Sequence, residues 1–298
     1  MAGNTFGNLF RITTFGESHG RGVGVVVDGI PAGTPLTESD IQKELDRRRP
    51  GQSKVATPRR ESDTVEILSG IFEGRTTGCP VAMLVRNRNQ APGAYAAIRD
   101  RFRPGHADYT YLAKYGIRDW RGSGRASGRE TVGRVAAGAV AKKLLQQSGI
   151  TVVAFARQIA DVTAQRVDLS TIEQNIVRTA DPDAVDAMIS AIEAAKEAGD
   201  SVGGIVELRI AGCPAGLGEP VFDKLEATLA HAIMSVGGVR GVAFGTGFDC
   251  AAMKGREYND EFYMEGDRVR TRTNHCGGIL GGISTGEDIV LQAAVRPT

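Results

Sequence analysis

Gly20-Arg21-Gly22-Val23-Gly24-Val25-Val26-Val27 limits what this chain can fold into more than any other stretch. A glycine costs a helix interior about 1 kcal/mol relative to alanine, whereas an unbroken β-branched run suits a pleated surface. The segment therefore reads as a strand. Leu9-Phe10-Arg11-Ile12-Thr13-Thr14-Phe15 reads as a second strand just upstream. Between them lies Gly16-Glu17-Ser18-His19-Gly20, which fits G-x-S-x-G, the pattern of a hydrolase nucleophile elbow. An elbow needs a helix directly after its serine, and here a strand follows. Ser18 is thus a poor nucleophile, and a serine and histidine held between glycines need another explanation.

A length of 298 residues allows a substantial core, and 41% hydrophobic with 24% charged residues is the make-up of a soluble globular protein. No apolar run is long enough for a membrane helix and no signal segment is visible, so a cytoplasmic location is expected. Cys79, Cys213, Cys250 and Cys276 form no C-x-x-C pair, which speaks against a zinc site or a disulfide framework. A net charge of +1 argues against the broad basic face of a nucleic-acid binder. Arginines nonetheless gather in loop-rich places: Arg47, Arg48, Arg49, Arg59 and Arg60 with Lys54; Arg99, Arg101 and Arg103; and Arg118, Arg121, Arg125, Arg129 and Arg134. Any one of them is most simply a solvated surface charge. Together they make focused positive potential suited to a small polyanion.

Thr37-Glu38-Ser39-Asp40 ahead of Ile41 and Leu45 predicts a capped helix to about Arg48. Residues 51–63 read as a mobile loop, 65–68 and 80–85 as strands, and 86–128 as loop-rich and basic. From 129 to 147 the spacing of Val132, Val135, Ala136, Ala139, Val140 and Leu144 predicts a core helix closed by Gly149. A strand at 152–155, helices at 170–178 and 182–198, a strand at 204–210, an amphipathic helix to Met234 and short strands follow. Strand, glycine loop, strand and helix recur in both halves with no linker. A single α+β domain over residues 1–298 is expected.

His231 lies inside an expected helix, where a packed or partly exposed histidine is the simpler reading. His19, His106 and His275 lie in loops beside glycines, where imidazoles near arginines are candidate proton donors at neutral pH. Gly122-Ser123-Gly124-Arg125-Ala126-Ser127-Gly128 has the wrong spacing for a Rossmann fingerprint, and no P-loop occurs. It suits an anion: backbone N–H groups near a helix start, Ser127, Arg125 and Arg129 reach toward one ligand.

Taken in order, these motifs resemble the chorismate synthase family. Gly16 to Gly20 is similar to its N-terminal signature, and Asp46-Arg47-Arg48-Arg49-Pro50-Gly51 to its first arginine loop. Arg103-Pro104-Gly105-His106-Ala107-Asp108 resembles its second histidine motif, and Gly124 to Thr131 its flavin and substrate loop. Pro214 to Pro220 and Asn274 to Gly282 extend the likeness over almost the whole chain. The resemblance implies a β-α-β sandwich with helices enclosed by antiparallel sheets, internally pseudo-duplicated, and assembled as a homotetramer. It implies a lyase of the shikimate pathway, in aromatic amino-acid biosynthesis. The reaction would be 1,4-anti elimination of phosphate from 5-enolpyruvylshikimate 3-phosphate, giving chorismate, with reduced FMN required.

By the same resemblance, His19 assists the departing phosphate and His106 serves the reduced flavin. Ser18, Arg48, Arg103, Ser127 and Arg129 bind substrate. Arg125, Ala126, Ser127, Gly237, Gly238, Gly281, Arg296, Pro297 and Thr298 match flavin positions. Arg48 and Lys54 match NADP-related arginine positions, NADPH being a source of reducing equivalents; an external flavin reductase is an alternative source. No metal, nucleic-acid or membrane partner is implied. Ala126, Gly128 and Gly237-Gly238 depart from the family's commoner residues. The chain stops at Thr298, where relatives continue through another flavin-contacting arginine and an aspartate, so an incomplete sequence is expected. Two rivals stand beside this reading: a serine hydrolase using Ser18, and a non-catalytic phosphometabolite or RNA-binding module using the arginine loops.

Overall fold

The glycine and valine run does form a strand in the computed structural model, which describes residues 3–53, 55, 59, 61–89 and 92–298. It lies at the middle of an antiparallel sheet. The strands are Thr5–Phe6 (β1), Arg11–Gly16 (β2), Gly22–Asp28 (β3) and Val65–Ile67 (β4), then a hairpin of Ile71–Phe72 (β5) and Arg75–Thr76 (β6), then Val81–Arg86 (β7). The sheet order is β1-β2-β3-β7-β4, with β5 and β6 apart from it. Alternation sends Val23, Val25 and Val27 of β3, and Val81, Met83 and Val85 of β7, to one fully buried face.

Helices cover that face. Glu38–Arg48 (α1) begins where the capping signal predicts, with the Asp40 carboxylate accepting from the Thr37 N–H at 2.9 Å. Ile41 and Leu45, four residues apart, bury completely. Thr131–Gln147 (α3, after α2 below) presents Val132, Ala136 and Val140 to the same core. Gly133 brings α3 close to the sheet, because a Cβ there would stand 2.8 Å from the Gly24 carbonyl oxygen. The region 86–128, expected to be loop, contains a helix of eight residues, Asp108–Tyr115 (α2), closed by Gly116 at φ +71°. Its polar and aromatic residues carry little 3.6-residue hydrophobic spacing, which is why periodicity missed it.

The chain divides into two compact units, Met1–Leu144 and Leu145–Thr298. The second has its own five-stranded antiparallel sheet of Thr151–Ile159 (β8), Val162–Thr163 (β9), Gly204–Ala211 (β10), Val239–Phe244 (β11) and, after two short hairpins, Ile289–Val295. The order is β11, Ile289–Val295, β10, β8, β9. Ile289, Leu291 and Ala293 are buried. Val185–Glu197 (α4) buries Met188, and Leu225–Met234 (α5) packs Leu225 and Leu229 beside Ile279 and Ile289. His231 is exposed on α5. The helix expected over 170–178 is instead a short 3-10 turn, Leu169–Gln174. Asp168 caps it through the Ser170 N–H at 3.0 Å, and the Asn175 side chain closes it by donating to the carbonyls of Thr171 and Thr179. The protein is α+β, built of helices and antiparallel sheets, as the sequence suggests. No helix among the described residues is long and apolar enough to cross a membrane.

Candidate active site

The loop between β2 and β3 holds Ser18 and His19 in the first unit, and both are buried. Buried polar backbone must be paired. The Ser18 N–H donates to the Gly124 carbonyl at 3.1 Å, and the Asn87 side chain donates to the carbonyls of Glu17 and Gly20 at 2.9 and 2.8 Å. Arg59 donates to Ser18 Oγ at 3.3 Å and pairs with buried Glu61 at 2.8 Å. Burial, then the charge of Arg59, pushes the His19 imidazole below its ordinary pKa. Its Nδ1 is buried with no hydrogen-bond partner among the described residues.

Behind this loop lies an arginine pair on one carboxylate. Asp63, fully buried and at φ +46°, accepts from Arg129 at 2.8 Å and from Arg48 at 3.1 Å. Arg129 Nε also donates to Asn87 Oδ1, while its Nη2 is buried without a partner among the described residues. Arg48 reaches on to the Gly128 carbonyl at 2.9 Å and Thr131 Oγ1 at 3.1 Å. Two guanidinium charges meet one carboxylate, so the pair retains positive potential. Ser127 caps the turn Gly128–Glu130 by accepting from the Arg129 N–H at 3.3 Å.

A second cluster forms at the start of α2. Buried Asp108 accepts from Arg103 Nε and Nη2, both at 2.9 Å, and from Arg118 at 3.2 Å. This bidentate arginine holds the Asp108 carboxyl far below the usual range. His106 Nδ1 lies 3.4 Å from Asp108 Oδ1, and His106 Nε2 meets Ser123 Oγ at 2.8 Å. Arg103 Nη2 donates to the same Ser123 Oγ at 2.8 Å.

Consecutive residues of one loop join the two histidines. At Gly122, φ +59°, an added Cβ would fall on Cε1 and Nδ1 of His19, so the imidazole rests directly on that glycine. The next residue, Ser123, carries His106. Tyr95 supports both ends: its ring meets His19 edge-on with centroids 5.1 Å apart, and Arg103 lies over it at 5.8 Å. The structure thus brings His19, His106, Ser18, Arg48, Arg103, Ser127 and Arg129 into one connected network. Beside His106 opens a cleft of about 460 Å³ whose walls include Tyr111, Tyr115, Ile117, Ser123, Arg125 and Ala126. Arg125 is held at its edge by Asn4 Oδ1 at 3.0 Å and Thr14 Oγ1 at 2.8 Å.

The remaining sequence candidates lie in the second unit. Gly238, at φ +92°, accepts the Arg296 N–H at 3.0 Å, next to Gly237. Thr298 exchanges hydrogen bonds with Ser201, its N–H donating to Oγ at 3.0 Å and its carbonyl accepting at 2.7 Å. Pro297 joins these two anchors, and Gly281, φ +61°, turns the hairpin between Ile279–Leu280 and Ile283–Ser284. His275 lies in a neighbouring loop folded on the carboxylate of Asp260, which accepts the N–H groups of His275 and Cys276 at 2.8 and 2.9 Å. Lys54 lies outside the described residues. Among the described residues no acidic, histidine and cysteine cluster has the makings of a metal site.

Sequence reasoning missed Asp63, Asn87, Asp108, Ser123 and Tyr95. Asp108 and Ser123 fall inside the histidine and glycine motifs; Asp63, Asn87 and Tyr95 meet Arg129, Glu17 and His19 across 66, 70 and 76 residues of sequence.

Comparison with known proteins points one way. The family model described as chorismate synthase matches residues 10–298. The chorismate synthase of Methanocella arvoryzae is 60% identical over 100% of this chain and 81% of its own. That of Akkermansia muciniphila is 58% identical over 99% of this chain and 83% of its own. A crystal structure of chorismate synthase superposes with a TM-score of 0.82 at 32% identity, covering 97% of this chain and 85% of that one.

Proposed function

Since the chain belongs to the chorismate synthase family, we propose that it eliminates phosphate from 5-enolpyruvylshikimate 3-phosphate, 1,4-anti, to give chorismate. One observation carries this reading: His19 and His106 rest on the consecutive residues Gly122 and Ser123, with arginine clusters on both sides. A substrate bearing two carboxylates and a phosphate needs several guanidinium groups. Arg48, Arg103 and Arg129 supply them. Each is oriented by a buried carboxylate, Asp63 or Asp108, so little side-chain freedom is lost when the ligand arrives.

Breaking the C–O bond builds negative charge on the leaving phosphate, and a proton held at His19 stabilises that charge as it develops. In the free protein burial and Arg59 disfavour that proton. A polyanion bound among the arginines favours the imidazolium, so His19 takes up its proton as substrate binds. Ser18 holds the loop and is not a nucleophile. His106 holds a proton at the cleft wall.

Reduced FMN would supply transient electron density to the reacting bond, with no net redox change. The residues fit such a group: the cleft has aromatic and apolar walls, polar contacts from Arg118, Arg125, Ser123 and His106 beside the carboxylates of Glu17, Asp108 and Asp119, and a volume in the range of ligand pockets. In the first unit Arg125, Ala126 and Ser127 would hold it; in the second, Gly237, Gly238, Gly281, Arg296, Pro297 and Thr298 match flavin positions by the family likeness. NADPH serves as the source of reducing equivalents, with Arg48 and Lys54 as its contacts; an external flavin reductase is the other route. The enzyme is a cytoplasmic homotetramer in this reading. Under anaerobic conditions with reduced FMN, phosphate and chorismate should appear together. Protein that binds flavin yet releases neither would refute the assignment.

A further inference from the structure

Ser123 stands in a backbone conformation made for glycine. Its φ of +83° and ψ of 8° lie in the left-handed region, where a residue with a side chain is strained and glycine is not. Gly122 and Gly124 on either side also have positive φ, 59° and 54°. What a serine adds here is its hydroxyl, 2.8 Å from both Arg103 Nη2 and His106 Nε2. The other ring nitrogen of His106, Nδ1, lies 3.4 Å from Asp108 Oδ1 and 3.4 Å from Arg103 Nη2.

Donor and acceptor capacity then limits the states available. An arginine only donates, so Arg103 occupies one lone pair of Ser123 Oγ. One hydrogen and one lone pair remain, shared between His106 Nε2 and the cleft that Ser123 lines. With His106 protonated on both nitrogens, Nδ1–H faces Asp108, Nε2–H donates to Oγ, and the serine hydroxyl turns its hydrogen to the cleft. With Nε2 deprotonated, the hydroxyl donates to Nε2 and turns a lone pair to the cleft. The two arrangements differ by one proton.

We propose that Ser123 is a proton-relay residue for His106. As a basic oxygen or nitrogen of a cleft-bound ligand takes the hydroxyl proton, Oγ takes the Nε2 proton, and His106 passes from imidazolium to neutral imidazole. Asp108 is the positioning residue, keeping Nδ1–H turned away from the cleft. The effect on turnover rests on the function proposed above; the effect on the histidine does not.

The test uses the full chain labelled with nitrogen-15 histidine, as wild type, Ser123→Ala and Ser123→Gly. Both variants lose the hydroxyl, and the glycine variant also loses the backbone strain. Imidazole NMR titration should move the His106 midpoint to lower pH in both, because the charge-assisted bond from Nε2–H to Oγ that is lost is stronger than the neutral bond from Oγ–H to Nε2 that is lost with it. Ser123→Gly should melt at or above the wild-type temperature. Anaerobic turnover with reduced FMN should fall at least about tenfold in both, the order expected when a proton-transfer group is lost. An unchanged His106 midpoint in Ser123→Gly overturns the relay. So does a glycine variant that turns over within twofold of wild type while only Ser123→Ala is impaired, since that pattern marks a merely structural serine. A wild type that binds flavin and eliminates no phosphate would reject the proposed function, and the NMR titration would still judge the relay.

Discussion

His19 Nδ1 is buried without a partner among the described residues, and the ring is held below its ordinary pKa of 6.5 first by burial and then by Arg59. The folded value lies below the unfolded one, so on acidification the unfolded chain binds the proton first. The stability linked to neutral His19 is therefore complete above about pH 6.5 and is lost as pH falls toward the folded value. Denaturant midpoints at pH 7.5 and 5.5 should fall less in His19→Asn than in wild type. Substrate binding should reverse the shift: calorimetry near neutral pH in buffers of different ionisation enthalpy should report proton uptake, reduced in His19→Ala. That variant should fold normally and lose about 10²–10⁴ in turnover, the usual worth of a positioned proton donor; unaltered turnover rejects the acid role. Arg129→Ala is different, because Asp63 is fully buried and loses one of its two guanidinium partners. Substrate affinity should fall, and stability with it by about 3–5 kcal/mol, the cost of breaking a buried pair.

At the scale of elements, α1 and α3 form because apolar residues recur every three or four positions, and both cover the face that β3 and β7 bury. Leu45 lies in that core with no exposure. Leu45→Ala should lower the unfolding free energy by about 2–5 kcal/mol, transfer and cavity costs combined, as read from urea midpoints. These elements were legible because their signals lie within a dozen residues. The helix α2 was not, since Asp108 and Gly116 mark its ends without an apolar stripe between them. The 170–178 segment shows the converse: a helix-like start at Asp168 is cut short by Asn175, whose side chain takes the Thr171 carbonyl that the next turn would have used and ties it to the Thr179 carbonyl.

At the scale of the whole molecule, burial separates the thiols. Cys79 and Cys250 are exposed, while Cys213 and Cys276 are buried. Burial, then the hydrogen bond to Asp260, pushes the Cys276 thiol up to about 11, and burial also raises Cys213. A thiol reagent at pH 8 should modify Cys79 and Cys250 in native protein and reach the other two only after denaturation; native labelling of Cys276 would contradict the packing around Asp260. The proposed homotetramer has its own measurement, light scattering at four times the chain mass, and a monomeric species would overturn it.

Local residue types determined the strand pair around Ser18 and His19, the capped start of α1, the core helix and the basic loops, because such signals depend on the conformational cost of neighbours a few positions apart. The tertiary structure alone decided that Gly122 and Ser123 carry the two histidines, and that Asp63 gathers Arg48 and Arg129. Those contacts follow from the path of the folded backbone, which no single window of the chain contains.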